Sequence, residues 1–132
     1  MTCLFCQIVK GEIPAQKIFE DEKTFAFLDI KPISTGHALV IPKAHLEHFD
    51  DMDAEDTHHV MDTVQKLAPK IMEAVGATAY NVGVNVRPDA GQAVMHTHVH
   101  IIPRSADDGL KSWPGMDVDN LEEINNKIEA LL

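Results

Sequence analysis

Apolar positions recur along this chain with two different periods, and the changes of period divide it into elements. Between Asp53 and Gly76, the residues Val60, Val64, Leu67, Ile71 and Val75 return at helical spacing, with Asp53 placed to cap the first turn. This predicts one long helix, kinked at Pro69 and closed by Gly76. Leu121, Ile124, Ile128 and Leu131 repeat the pattern behind an Asp119 and Glu122 capping pair, predicting a second amphipathic helix at the C-terminal end. Residues 5–10 read as a short helical turn stopped by Gly11.

Alternating or continuous apolar runs bounded by turn residues predict strands at 17–20, 24–29, 37–41, 79–86 and 95–102. The polar Asp21-Glu22-Lys23 joins the first two as a hairpin, and Pro42 ends the third. Segments 31–36 and 87–91 are loops by their Pro, Gly, Ser and Asp content. Five strands with few, unevenly placed helices indicate the α+β class: a mainly antiparallel five-stranded sheet carrying a long helix and a C-terminal helix. A length of 132 residues suits a single domain over 1–132 with one well-buried core.

Composition narrows the partners. The net charge is −10, and the basic residues are scattered rather than gathered into a stripe, so a polynucleotide would be repelled. A mononucleotide is compatible, because backbone N–H groups and a few histidines can hold one phosphate without a basic surface. The start Met-Thr-Cys-Leu-Phe-Cys lacks the charged n-region and apolar h-region expected of a secretory leader, and no apolar run is long enough for a transmembrane helix. The expected location is the cytoplasm, with no membrane partner.

Candidate chemistry lies in the run Met95-His-Thr-His-Val-His-Ile-Ile-Pro103. In an extended strand His96, His98 and His100 would project from one side, roughly 7 Å apart, while Thr97, Val99 and Ile101 face the other way. One face carries titratable rings and the other can pack. Crowding and burial both oppose protonation, so at least one ring should be neutral and nucleophilic near neutral pH.

Cys3 and Cys6 are the only cysteines, spaced C-x-x-C. The pair forms half of a zinc site, for which His45 and His96 are candidate partners, or else two free thiols near a chain end. A thioredoxin-like use expects a strand before the motif, and only two residues precede it.

With these residues in view, the chain resembles a histidine triad (HIT) hydrolase, closest to the Hint-like bacterial branch. The pieces that carry the likeness are residues 3–14, 27–30, 36–45 and 91–104, in order. Thr97 departs from the apolar residue of the family pattern, and Ala93 stands where a small polar residue often helps hold phosphate.

The resemblance implies binding of a purine nucleotide and hydrolysis at its α-phosphate, on adenosine phosphoramidates or adenylates. Alternatives are hydrolysis of dinucleoside polyphosphates, or a zinc-stabilised nucleotide-binding protein without turnover. By the same likeness His98 is the nucleophile that forms a nucleotidyl-histidine, His100 contacts phosphate or leaving-group oxygens, and His37 supports the cluster. His96 joins Cys3, Cys6 and His45 as the fourth ligand of a structural zinc. Asp29 takes both ribose hydroxyls; Phe5, Ile8, Phe27 and Ile30 wall the base; Asn85 and Gln92 lie near phosphate. A homodimer is expected, and Trp113 belongs either to its interface or to local cover.

Overall fold

The structure is a computed structural model that describes residues 2–132. Its elements are α1 (Leu4–Val9), β1 (Lys17–Glu20), β2 (Thr24–Leu28), β3 (Ala38–Pro42), α2 (Ala54–Ala74), β4 (Ala79–Gly83), β5 (Val99–Arg104) and α3 (Leu121–Glu129). The sheet runs β1-β2-β3-β5-β4, and every neighbouring pair is antiparallel. The expected α+β class with a five-stranded antiparallel sheet is therefore the observed one.

The period-2 pattern sends alternate side chains to opposite faces, and both faces are covered. On one, Ala26, Ala38, Val40, Val99 and Ile101 meet Val60, Val64, Leu67, Ala68 and Ile71 of α2. On the other, Phe25, Phe27, Leu39 and Ile41 pack with Phe5 and Ile8 of α1. Each large apolar side chain so buried contributes about 1.5–3 kcal/mol. Asp53 caps α2 through its carboxylate, which accepts from the Asp56 N–H at 2.8 Å. Pro69 sits inside the helix without ending it, and the helix stops where expected. There Gly76 adopts φ +71°, while the Ala77 and Gly76 N–H groups return to the Met72 and Glu73 carbonyls.

Gly36 is needed for a second reason. Its φ is +91°, and a Cβ there would lie 2.9 Å from Val75 Cγ1 and 3.2 Å from Pro103 Cγ. The close packing of this turn on the end of α2 sets where His37 enters β3.

Several expected boundaries move. The second strand stops at Leu28, the third covers Ala38–Pro42, and the fourth ends at Gly83 rather than 86. Most consequential is β5, which begins at Val99, so His96 and His98 precede it. Ladder pairing with β3 stops at Val40 opposite Val99, although Ile41 and Pro42 continue the strand past that point; the Thr97 N–H instead donates to the Leu46 carbonyl at 2.7 Å. The expected capping pair of α3 also fails. Asn120, not Asp119, is the N-cap, and its side chain makes no capping bond. The apolar stripe of α3 is exposed, with Leu121 at 69% and Ile128 at 54%. No described helix is long and apolar enough to cross a membrane.

Candidate active site

His98 and His100 come together at the start of β5, their ring centroids 5.0 Å apart. His37, delivered by the Gly36 turn, places Nε2 at 2.9 Å from His100 Nδ1. Asp29, just past β2, puts Oδ2 at 3.7 Å from the same His37 nitrogen, while its Oδ1 accepts from the Lys31 N–H at 2.8 Å. One carboxylate oxygen thus caps the turn and the other faces the histidines.

The partners of each ring fix where its proton sits, because an amide N–H only donates and a carbonyl only accepts. His98 Nδ1 lies 2.8 Å from the His96 carbonyl, so it carries the hydrogen and leaves Nε2 bare. His37 Nδ1 accepts from the Ile33 N–H at 3.0 Å, so in the neutral ring the hydrogen is on Nε2 and is donated to His100 Nδ1. Neutral His100 therefore bears its hydrogen on Nε2, which is buried and has no hydrogen-bond partner among the described residues. The result is a nucleophilic lone pair on His98 beside an uncommitted donor on His100. Asp29, His37 and His100 also lie close enough together to suggest a metal cluster. The hydrogen required on His37 Nε2 fills that gap, so the Ile33 N–H, His37 and His100 form a hydrogen-bond relay with the Asp29 carboxylate beside it at 3.7 Å.

Burial keeps these rings neutral. It is the main cause that lowers His98 and His37 below the ordinary histidine range. His100 is pushed down to about 4 by burial first, and then by the neighbouring His98 and His37.

On the other side of Phe5, a second cluster forms. Cys3, the N-cap of α1, and Cys6 within it approach His96 Nδ1 at 3.4 and 3.5 Å, and Cys6 Sγ lies 3.4 Å from His45 Nδ1. A tetrahedral centre with ordinary metal–sulfur and metal–nitrogen bonds separates its ligands by about 3.6 Å, so the spacing fits. The donor chemistry fits as well. His96 Nε2 lies 2.8 Å from the Pro42 carbonyl and holds the hydrogen, leaving Nδ1 bare toward both thiols. Burial, followed by the adjoining Cys3, pushes the Cys6 thiol up to about 11, a penalty on the thiolate that a bound cation would relieve.

The remaining expected residues divide. Phe5, Ile8 and Phe27 are buried, with the Phe5 ring edge-on to Phe27 at 5.3 Å and to His98 at 5.1 Å. They pack into one apolar cluster, of which Phe5 is the member against the histidine rings. Ile30 is 88% exposed and walls nothing within this chain. Asn85 lines an open cavity of about 320 Å³ with Ile33, His100, Arg104 and Trp113.

Gln92 departs from expectation. Its oxygen takes the Arg87 N–H and faces His48 Nδ1, and its nitrogen donates to the Glu47 and Val94 carbonyls. No hydrogen-bonding capacity is left for a phosphate, so Gln92 braces the loop that leads to the histidines. His48 belongs to this brace. The groups that orient the rings, namely the Ile33 N–H and the His96 and Pro42 carbonyls, are backbone atoms and carry no side-chain signal.

Residues 10–107 match the HIT domain, and the chain belongs to the histidine triad family. It is 45% identical to an uncharacterized HIT-like protein of Methanocaldococcus jannaschii, over 97% of this chain and 99% of that one. It is 40% identical to the adenosine 5'-monophosphoramidase of Schizosaccharomyces pombe, over 98% of this chain and 100% of that protein. A Zn-bound histidine triad protein from Mycobacterium smegmatis superposes with a TM-score of 0.80 at 33% identity, covering 99% of this chain and 97% of that one.

Proposed function

We propose that this protein is a nucleotide hydrolase that cleaves adenosine phosphoramidates or related adenylates at the α-phosphate through a covalent nucleotidyl-His98. The observation that carries the reading is the hydrogen bond from His98 Nδ1 to the His96 carbonyl, which leaves Nε2 free to attack. Attack in line at phosphorus breaks the bond to the leaving group and turns His98 into an N-phosphoryl imidazolium, whose retained Nδ1–H keeps its carbonyl partner. The His100 Nε2–H stabilises charge on phosphate or leaving-group atoms. Water then displaces His98; over both steps water supplies the hydroxyl to phosphorus and the proton to the departing amine. Asp29 Oδ2 is the acceptor for ribose hydroxyls, and the apolar cluster of Phe5, Ile8 and Phe27 walls the base. The adenosine 5'-monophosphoramidase relative supports this substrate class.

Cys3, Cys6, His45 and His96 hold a structural zinc, a reading that the Zn-bound relative supports. Zinc there would supply cross-linking between α1 and the histidine segment.

Mass mapping after rapid quench with an AMP amide tests the proposal: an adduct of one AMP on His98 is expected. No adduct, together with no turnover of AMP amides or diadenosine polyphosphates, overturns it. The same reading carries a homodimer, because β4 is an edge strand with Tyr80 and Val82 part-exposed. Light scattering at twice the chain mass is expected, and a monomer refutes that part.

A further inference from the structure

We infer that Phe5 is a positioning residue that couples metal occupancy of the Cys3, Cys6, His45 and His96 cluster to the orientation of His98. The inference rests on the reading of His98 as nucleophile, but its test does not need turnover. Helix α1 is six residues long, too short to persist on its own. What holds it to the sheet is the burial of Phe5 and Ile8 on one side and the placement of two thiols against His45 and His96 on the other. Phe5 sits between the two cysteines in sequence and is 5% exposed. Its ring stands edge-on to His96 at 5.9 Å and to His98 at 5.1 Å, with interplanar angles of 67° and 87°.

His98 is thus fixed from two directions that share one origin. Its Nδ1–H is held by the backbone carbonyl of His96, whose ring belongs to the cluster, and its ring plane is held by Phe5, whose neighbours in sequence belong to the cluster. A metal bound to Cys3, Cys6, His45 and His96 therefore clamps both restraints at once. With the cluster empty, α1 depends on two apolar side chains, and the Phe5 contact to His98 loosens.

The test uses the full-length zinc-loaded protein, its chelator-stripped form, and the variants Phe5→Leu and Phe5→Tyr. Metal content, the imidazole nitrogen resonances of His98 and AMP affinity by calorimetry are the readouts. Stripping zinc should shift the His98 resonances and weaken AMP at least fivefold. Phe5→Leu should retain one zinc per chain and yet reproduce the shift, and Phe5→Tyr, which keeps the ring, should restore it. Stripping zinc from Phe5→Leu should add less than it does in the unaltered chain. Unchanged His98 resonances and AMP affinity after zinc loss overturn the inference, as do fully additive losses in the Phe5→Leu background. Should the stripped chain unfold, the two zinc-loaded variants still decide: a His98 signal indifferent to Leu against Tyr refutes the coupling. A His98 that responds to zinc in a protein forming no AMP adduct would sink the hydrolase reading and leave this inference standing.

Discussion

His96 and His98 are two residues apart, both buried, and both held neutral mainly by burial, yet the nitrogen left bare is a different one in each. In His96 the Pro42 carbonyl captures Nε2, and Nδ1 points to the thiols; in His98 the His96 carbonyl captures Nδ1, and Nε2 is free. The ring is the same and the partner decides the chemistry. A ligand site and a nucleophile can therefore be built from adjacent turns of one segment, provided backbone carbonyls select opposite tautomers.

The comparison breaks most visibly if the two histidines are removed in turn. His98→Ala should lower turnover of an AMP amide by at least about a thousandfold, since the attacking atom is lost. AMP affinity should stay within about tenfold, because the proposed Asp29 and Phe5 contacts remain. Steady-state kinetics with calorimetry checks both parts, and near-normal turnover in this variant eliminates His98 as nucleophile. His96→Ala should act the other way round. It removes a proposed metal ligand, leaves a cavity next to Phe5 and strands the Pro42 carbonyl, costing about 3 kcal/mol before any loss of metal binding. Denaturant unfolding and metal analysis would show it; a variant as stable as the parent, with zinc retained, contradicts the assignment.

This proposed division of roles was only partly legible in the sequence. The alternation of His96, His98 and His100 implied a shared strand face, but only His100 lies within β5. The rings cluster because the carbonyls of Pro42, the last residue of β3, and of Leu46 beyond it satisfy residues 96 and 97. Long-range pairing of this kind leaves no mark on local periodicity. The five strands and α2 were legible because their apolar periods are strong and their caps are local. The apolar stripe of α3 shows the limit: its periodicity identified the helix, but amphipathicity does not say what covers it, and Ile124 and Ile128 remain 41% and 54% exposed. The setting of Gln92 was illegible for a related reason. The family likeness put it near phosphate, whereas its four hydrogen bonds, three of them to backbone groups, appear only once Glu47, Arg87 and Val94 converge.

The smallest expected effect concerns pH, and it sharpens the contrast between the relay and the cluster. His100 titrates near 4 when folded, below the ordinary histidine value of 6.5, so between those pH values the unfolded chain binds more protons than the folded one. Its contribution to stability is then complete above 6.5 and is lost as pH falls toward 4. His98 and His37 shift in the same direction, so the neutral relay persists below the usual range and the acid limb of turnover should fall under pH 6.5. Protonation at the cluster also costs stability in acid, but through competition with metal, so that loss should diminish as zinc is raised. His100→Gln separates the two. Melting temperatures measured from pH 7 to 4 in excess zinc should fall less steeply for this variant than for the parent. Identical slopes would mean that the acid sensitivity belongs to groups other than the relay, and that the hydrogen required on His100 Nε2 is not what burial protects.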